Sequence, residues 1–202
     1  RPPRSTLFPY TTLFRSQCQD HRSGPQDDVI RFCEQVARDL GYDGLSFLTG
    51  DIQSYVSGEP IDMVVTLHAC DVATDAAIVQ AIGWDCRILL TVPCCQHELF
   101  PKIKNDRMKV MLKHGIIKER FSALLTDSIR GQLLEACGYD VNIMEFISLE
   151  HTPKNILIKA VRNGRPDRQK YQEYLAFAKD WQIRPYLEEE LVRIGRIPER
   201  AE

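Results

Sequence analysis

Residues 61–97 read IDMVVTLHACDVATDAAIVQAIGWDCRILLTVPCCQH, and the order of patterns in them decides the fold class. Ile61 to Leu67 is a near-continuous apolar run of the kind found in strands buried on both faces. Thr74 to Ile82 carries helical spacing behind Asp71 or Thr74 as its cap. Cys86 to Val92 is a second apolar run, stopped by Pro93. Strand, helix and strand in such quick succession form a βαβ unit, with a right-handed connection and both strands parallel in one sheet.

The same reading extends outward. Upstream, Val29, Ile30, Cys33, Val36, Ala37 and Leu40 recur at three and four residues, which predicts an amphipathic helix from Asp27 that Gly41 ends. Leu45 to Leu48 is a short strand candidate running into Gly50-Asp51. Downstream, 96–111 and 118–137 are helical in pattern, and 141–149 with 155–161 form an antiparallel hairpin. Gly164-Arg165-Pro166 breaks the chain before two charged amphipathic helices over 169–181 and 186–194. The expected class is therefore α/β, an open parallel sheet closed by an antiparallel hairpin and followed by C-terminal helices.

Composition bounds the function. The chain has 202 residues, 44% of them hydrophobic and 27% charged, with 26 Lys+Arg against 28 Asp+Glu. That excludes a disordered tail, a collagen and a small disulfide scaffold, and no global field calls for DNA or a membrane as partner. No apolar run approaches the roughly 20 residues that span a bilayer. The seven cysteines are an odd number, mostly in apolar contexts. A reduced, cytoplasmic setting is expected.

Ligands of open α/β sheets bind beyond the carboxyl ends of the strands. Three strand ends carry the informative residues: Gly50-Asp51-Ile52, His68-Ala69-Cys70-Asp71 and Pro93-Cys94-Cys95-Gln96-His97. Asp51 can accept a hydrogen bond from an adenine amino group, or simply cap a turn. If the two βαβ strands are neighbours, two imidazoles, three thiols and a carboxylate share one crevice. Zinc takes such ligands, yet the spacings are not those of a ribbon or finger and vicinal Cys94 and Cys95 point their side chains differently, so no metal is assigned. A thiolate nucleophile at Cys94 or Cys95, with His97 or His68 as base, is a second option; small-hydrophobe packing is the third. Lys102, Lys104, Arg107, Lys109, Lys113, Lys118 and Arg120 against Asp106 and Glu119 make a basic segment, either a solvated helix face or a set of RNA phosphate contacts.

Leu67-His-Ala-Cys-Asp-Val-Ala-Thr-Asp75 together with Val92-Pro-Cys-Cys-Gln-His-Glu-Leu99 resembles a family of class I S-adenosylmethionine-dependent methyltransferases with LHACDxATD and VPCCQHEL motifs, distantly like tRNA ribose 2′-O-methyltransferases. The resemblance runs from Asp27 to about Lys159 and implies a Rossmann-like sheet. It further implies S-adenosyl-L-methionine as cofactor and methyl transfer to an acceptor that can be RNA. Asp51, Ile52, Leu67 and His68 would bind the cofactor. His68 and Asp71 would orient the acceptor or take its proton, because an in-line displacement needs mainly positioning and a base. Cys70, Pro93, Cys94, Cys95 and His97 would line the acceptor pocket. A noncatalytic RNA-binding or scaffold relative of the fold is the alternative, as is a cysteine-dependent metal or thiol protein.

Two departures from the family pattern matter. No Gly-x-Gly triplet occurs in the chain, and the acidic residue expected at the end of the second strand is missing. Residues 1–16 lack any hydrophobic period, and Thr6 to Ser16 resembles the translation of a sequencing-library adapter. The expected organisation is a leader over 1–26, artefactual or disordered, a partial methyltransferase domain over 27–163 lacking its first strands, and a helical extension over 164–202. Such a fragment is expected to bind cofactor poorly and to be inactive.

Overall fold

The computed structural model describes residues 12–15, 26–42, 44–49, 52–57, 60–67, 69–148, 150 and 155–200. They divide into two compact units, 1–55 and 56–202.

In the first unit, β1 (Thr12–Arg15) pairs in parallel with β2 (Ser46–Thr49), Thr12 opposite Ser46. A strand therefore lies within the stretch read as a patternless leader. Strand pairing uses backbone N–H and C=O groups that every such residue carries, so it does not require an alternating side-chain pattern. Helix α1 (Gln26–Asp39) packs on β2. It ends as the sequence predicts: Gly41 takes φ +73°, its N–H donates to the Arg38 carbonyl, and the Tyr42 N–H reaches back to Ala37. This double bond satisfies the last helical carbonyls and needs a left-handed residue at position 41.

The second unit opens with the predicted βαβ: β3 (Met63–Leu67), α2 (Val72–Gly83) and β4 (Ile88–Val92). β3 and β4 are parallel, Met63 opposite Ile88 and Leu67 opposite Val92. Two short helices follow, α3 (Leu99–Lys102) and α4 (Lys109–Leu112), then the long α5 (Gly115–Ala136). The continuous helix expected over 96–111 is thus broken. Ile103 leaves the helix in an extended conformation and is buried in the core, and the Asn105 side chain accepts the Met108 N–H to start a new turn. Burying one isoleucine is worth about 1.5–3 kcal/mol, more than continuing a short helix.

The hairpin strands β5 (Tyr139–Glu145) and β6 (Ile156–Arg162) are antiparallel, and β6 inserts between β4 and β5 to give the order β3-β4-β6-β5. Along β3 and β4 burial alternates: Val64, Thr66, Leu89 and Thr91 are buried, whereas Val65 is 49% and Leu67 60% exposed. These strands are one-sided among the described residues, not buried on both faces as their composition predicts.

Helices α6 (Arg168–Asp180) and α7 (Tyr186–Arg193) complete the unit. The domain boundary expected at residue 164 does not divide the packing, because Tyr171, Tyr174, Ala178, Leu187 and Leu191 belong to the same core as Ile78, Leu89, Leu133 and Ile158. α6 lies on α5 and α7 on α2. Charge on their outer faces made them read as an appendage, while their apolar stripes complete the sheet's helical layer. No helix among the described residues is long and apolar enough to cross a membrane.

Candidate functional site

Because β3 and β4 run parallel and in register, the chain leaves both at the same end of the sheet. The loops that follow carry Ala69-Cys70-Asp71 and Pro93-Cys94-Cys95-Gln96-His97. Backbone bonds tie them together: the Asp71 N–H donates to the Cys95 carbonyl at 3.0 Å. The Asp71 carboxylate closes the clamp, its Oδ1 accepting from the His97 N–H at 2.9 Å and the Glu98 N–H at 3.0 Å. Asp71 stands at the N-terminus of α2 with φ +53°; its carbonyl accepts the Thr74 N–H, but its side chain makes no capping bond to that helix. The sequence expected a cap there; the carboxylate instead bridges to the next loop. The Thr74 hydroxyl donates to the Ala69 carbonyl and secures the other side of the turn.

Beneath the loops lies a buried ionic network that sequence reading missed. Arg130 on α5 is 1% exposed. Its Nε donates to Asp75 Oδ1 at 2.7 Å and its Nη2 to Asp75 Oδ2 at 3.0 Å, a bidentate grip; Nη1 donates to Asp127 Oδ1 at 2.9 Å. Nη2 also donates to the Asp71 carbonyl, and the Gln96 amide donates to Asp127 Oδ2. One guanidinium therefore holds the β3 loop directly and the β4 loop through Asp127 and Gln96. Desolvation opposes the Arg130 charge, but the fields and hydrogen bonds of Asp75 and Asp127 outweigh it and raise its pKa. Two carboxylates share that one cation. Burial accordingly pushes Asp127 up to about 6, with Arg130 and Gln96 pulling against it. The available signal was Asp127 and Arg130 three residues apart among the apolar positions Leu125, Ile129, Leu133 and Leu134 of α5, facing the Asp75 of the ATD triplet.

The three thiols of the two loops converge. The Sγ atoms of Cys70, Cys94 and Cys95 lie within 4.8 Å of one another, Cys70 and Cys94 at 3.3 Å, and all three residues are half-buried. The vicinal pair does not point apart, because residues 93–97 form a loop after Pro93 and not a strand. The His97 imidazole is outside this group and its residue is exposed; its backbone is what the site uses. Burial first, then hydrogen bonds with Cys94 and Cys95, hold the Cys70 thiol well above the usual thiol range, which argues against Cys70 as a thiolate nucleophile. Pro93 is buried under the loop. Cys86 is a core thiol, and burial raises Cys137 to about 12.

Asp51 and His68 lie outside the described residues. Ile52 is buried in the first unit, and Leu67 stands exposed at the carboxyl end of β3. A small cavity of about 50 Å³ between Ile82, Cys137, Tyr139 and Arg196 lies at the opposite, amino end of β4, away from these loops.

The basic segment is displayed outward. Lys104, Arg107, Lys109, Lys113 and Arg120 are exposed, Lys102 pairs with Glu98 at 2.6 Å, and the Lys118 ammonium lies 5.0 Å above the Phe100 ring.

Comparison with known proteins bears on this region directly. A family model described as a methyltransferase domain matches residues 23–102, from just before α1 through α3. The chain is 27% identical over 148 residues to a "Glutathione S-transferase C-terminal domain-containing protein" of Homo sapiens and equally to that of Macaca fascicularis. The match covers 61% of this chain and 23% of each relative, so the chain spans under a quarter of the length of the curated proteins it resembles. No solved structure matches.

Proposed function

We propose that this chain carries an S-adenosylmethionine-dependent methyltransferase domain whose methyl acceptor is RNA. The observation that carries the reading is the methyltransferase-domain match over residues 23–102 falling on two linked loops at the carboxyl ends of parallel strands β3 and β4. Leu67 and Ile52, with Asp51 and His68, are the cofactor-binding candidates. Asp71 and His68 are the candidates for orienting the acceptor or taking its proton. Cys70, Pro93, Cys94, Cys95 and His97 form the acceptor side. RNA is favoured by the exposed cations of 104–120, which follow this site in the chain and suit a phosphate backbone.

The residues present do not complete a cradle for the cofactor. No Gly-x-Gly triplet exists in the chain to bring backbone N–H groups against it, and Asp71, the one described carboxylate at the β3 end, already binds two backbone N–H groups. No transfer step is therefore routed through it here. The same observation favours a second reading, a relative that holds RNA without turnover.

One experiment separates them. Labelled S-adenosylmethionine is incubated with the chain, total RNA and total protein. Label entering RNA is the expected result. Label in protein alone would overturn the RNA acceptor, and RNA retention without label would establish the noncatalytic reading.

A further inference from the structure

We infer that Cys70, Cys94 and Cys95 form a binding site for one thiophilic divalent cation of the zinc class. The site stands on its own geometry and does not depend on the methyltransferase reading.

Zinc bound by thiolates sits about 2.3 Å from each sulfur, which in a tetrahedron places the sulfurs about 3.8 Å apart. The three sulfurs here lie within 4.8 Å of one another, with one pair at 3.3 Å. Shifts of about 1 Å or less in the sulfur separations turn this triangle into a coordination face. The loops that carry the sulfurs are already immobilised by bonds that involve no sulfur. These are Asp71 N–H to Cys95, the two N–H groups on Asp71 Oδ1, Thr74 to Ala69, and Arg130 to the Asp71 carbonyl. A site built this way loses little chain entropy on binding, the property that raises affinity in preorganised sites.

The chemistry of the donor set points the same way. Three neutral thiols packed together have only weak attraction for one another, and turning one into an anion is opposed by the others unless a cation is present. A dication reverses that balance: it binds three thiolates, three protons leave to solvent, and the site carries a net charge of −1. Three soft sulfur donors, the only metal-ligating atoms grouped there among the described residues, select zinc-class ions over magnesium or calcium. Three protein ligands leave one position of a tetrahedral zinc for a further donor. Sequence spacing did not reveal the site because its ligands come from two strand ends, 24 residues apart between Cys70 and Cys94, and not from paired Cys-x-x-Cys turns.

The test uses the reduced full chain. After equilibration with Zn²⁺ and removal of excess, elemental analysis is expected to find one zinc per chain, and Co²⁺ in its place is expected to give a thiolate-to-cobalt charge-transfer absorption in the near ultraviolet. Cys70→Ser, Cys94→Ser and Cys95→Ser should each weaken zinc binding at least tenfold and reduce that absorption by about a third, whereas Cys33→Ser should change neither. A readout on the unmutated chain guards against misfolding of the variants: Zn²⁺ should protect Cys70, Cys94 and Cys95 from iodoacetamide while leaving Cys33 reactive. Zinc uptake well below one per chain, equal uptake by the triple serine variant, or no protection of the three thiols would each overturn the site. So would a Cys70–Cys94 disulfide that forms in air in a chain that takes up no zinc when reduced.

Discussion

Two buried charge networks in the second unit invite comparison. Under the β3 and β4 loops, Arg130 meets Asp75 and Asp127 with all three side chains at most 3% exposed. Between α6 and α7, Glu188 is fully buried and accepts from Tyr174 Oη at 2.7 Å and from the Arg200 guanidinium, whose side chain remains 27% exposed. The chemistry is similar and the consequences differ. The second network closes a helix pair and lets its cation reach water. The first has excess negative charge, no route to solvent, and hydrogen bonds to both site loops. A buried ion pair is weak evidence for net stability, but removing one partner is costly where the other cannot be solvated. Placement therefore makes the Arg130 network a positioning device and the Glu188 network a fastener.

Breaking the comparison begins with Arg130→Met. Two buried carboxylates lose their cation, and a loss of about 3–5 kcal/mol in denaturant unfolding is expected, with faster alkylation of Cys94 and Cys95 as the loops are released. Loss of stability with unchanged thiol reactivity would reduce Arg130 to a fastener as well.

Next in size is a pH effect specific to the first network. The folded Asp127 carboxyl titrates near 6, above the ordinary carboxylate value near 3.8. Raised in the folded state, it contributes stability that is fully present below about pH 4 and is lost as pH rises through about 6. Stability measured across that window should decline from this group, and Asp127→Asn should flatten the decline. An unchanged slope in the variant would exclude Asp127 as its source.

Asp71→Ala removes the acceptor of two backbone N–H groups at the loop junction. A cost of about 1–2 kcal/mol is expected, together with increased alkylation of Cys70. Glu188→Gln should cost about 1 kcal/mol, since the amide keeps an acceptor for Tyr174 and Arg200 can turn to water. Its thiol reactivity should match the parent chain; a rise in it would couple the two networks and erase the distinction.

The smallest effects are expected on the surface. Lys104→Ala, Arg107→Ala and Lys109→Ala should leave stability unchanged, and each should lower the salt dependence of RNA binding by about one unit of log–log slope. Equal slopes in parent and variants would remove the basic segment from the RNA-binding surface.

Much of this architecture was legible because it rests on local rules. The βαβ unit followed from two apolar runs flanking a helix-spaced segment, the hairpin from two strands around a short connection, and the end of α1 from Gly41, which can take the left-handed turn at no steric cost. The thiols, Asp71 and His97 were legible as neighbours because parallel strands deliver both loops to one edge. What each would do there was less legible. Asp71 reads as a helix cap, since nothing local to it announces two N–H groups arriving from residues 97 and 98. Helices α6 and α7 read as an extension, since their charged faces are visible in the sequence and the partners of their apolar faces are not.

By itself the sequence determined the α/β class, the succession of the βαβ unit, the hairpin and the two last helices, and the identity of the loops that bear chemistry, all consequences of period, propensity and turn residues within a few positions of one another. Only the tertiary structure decided that Arg130, 55 residues beyond Asp75, would be drawn into the core to hold those loops. It also decided that three thiols of unremarkable spacing would meet within 4.8 Å. Both depend on which distant side chains share a buried space, where an unpaired charge or polar group is costly enough to dictate its neighbours.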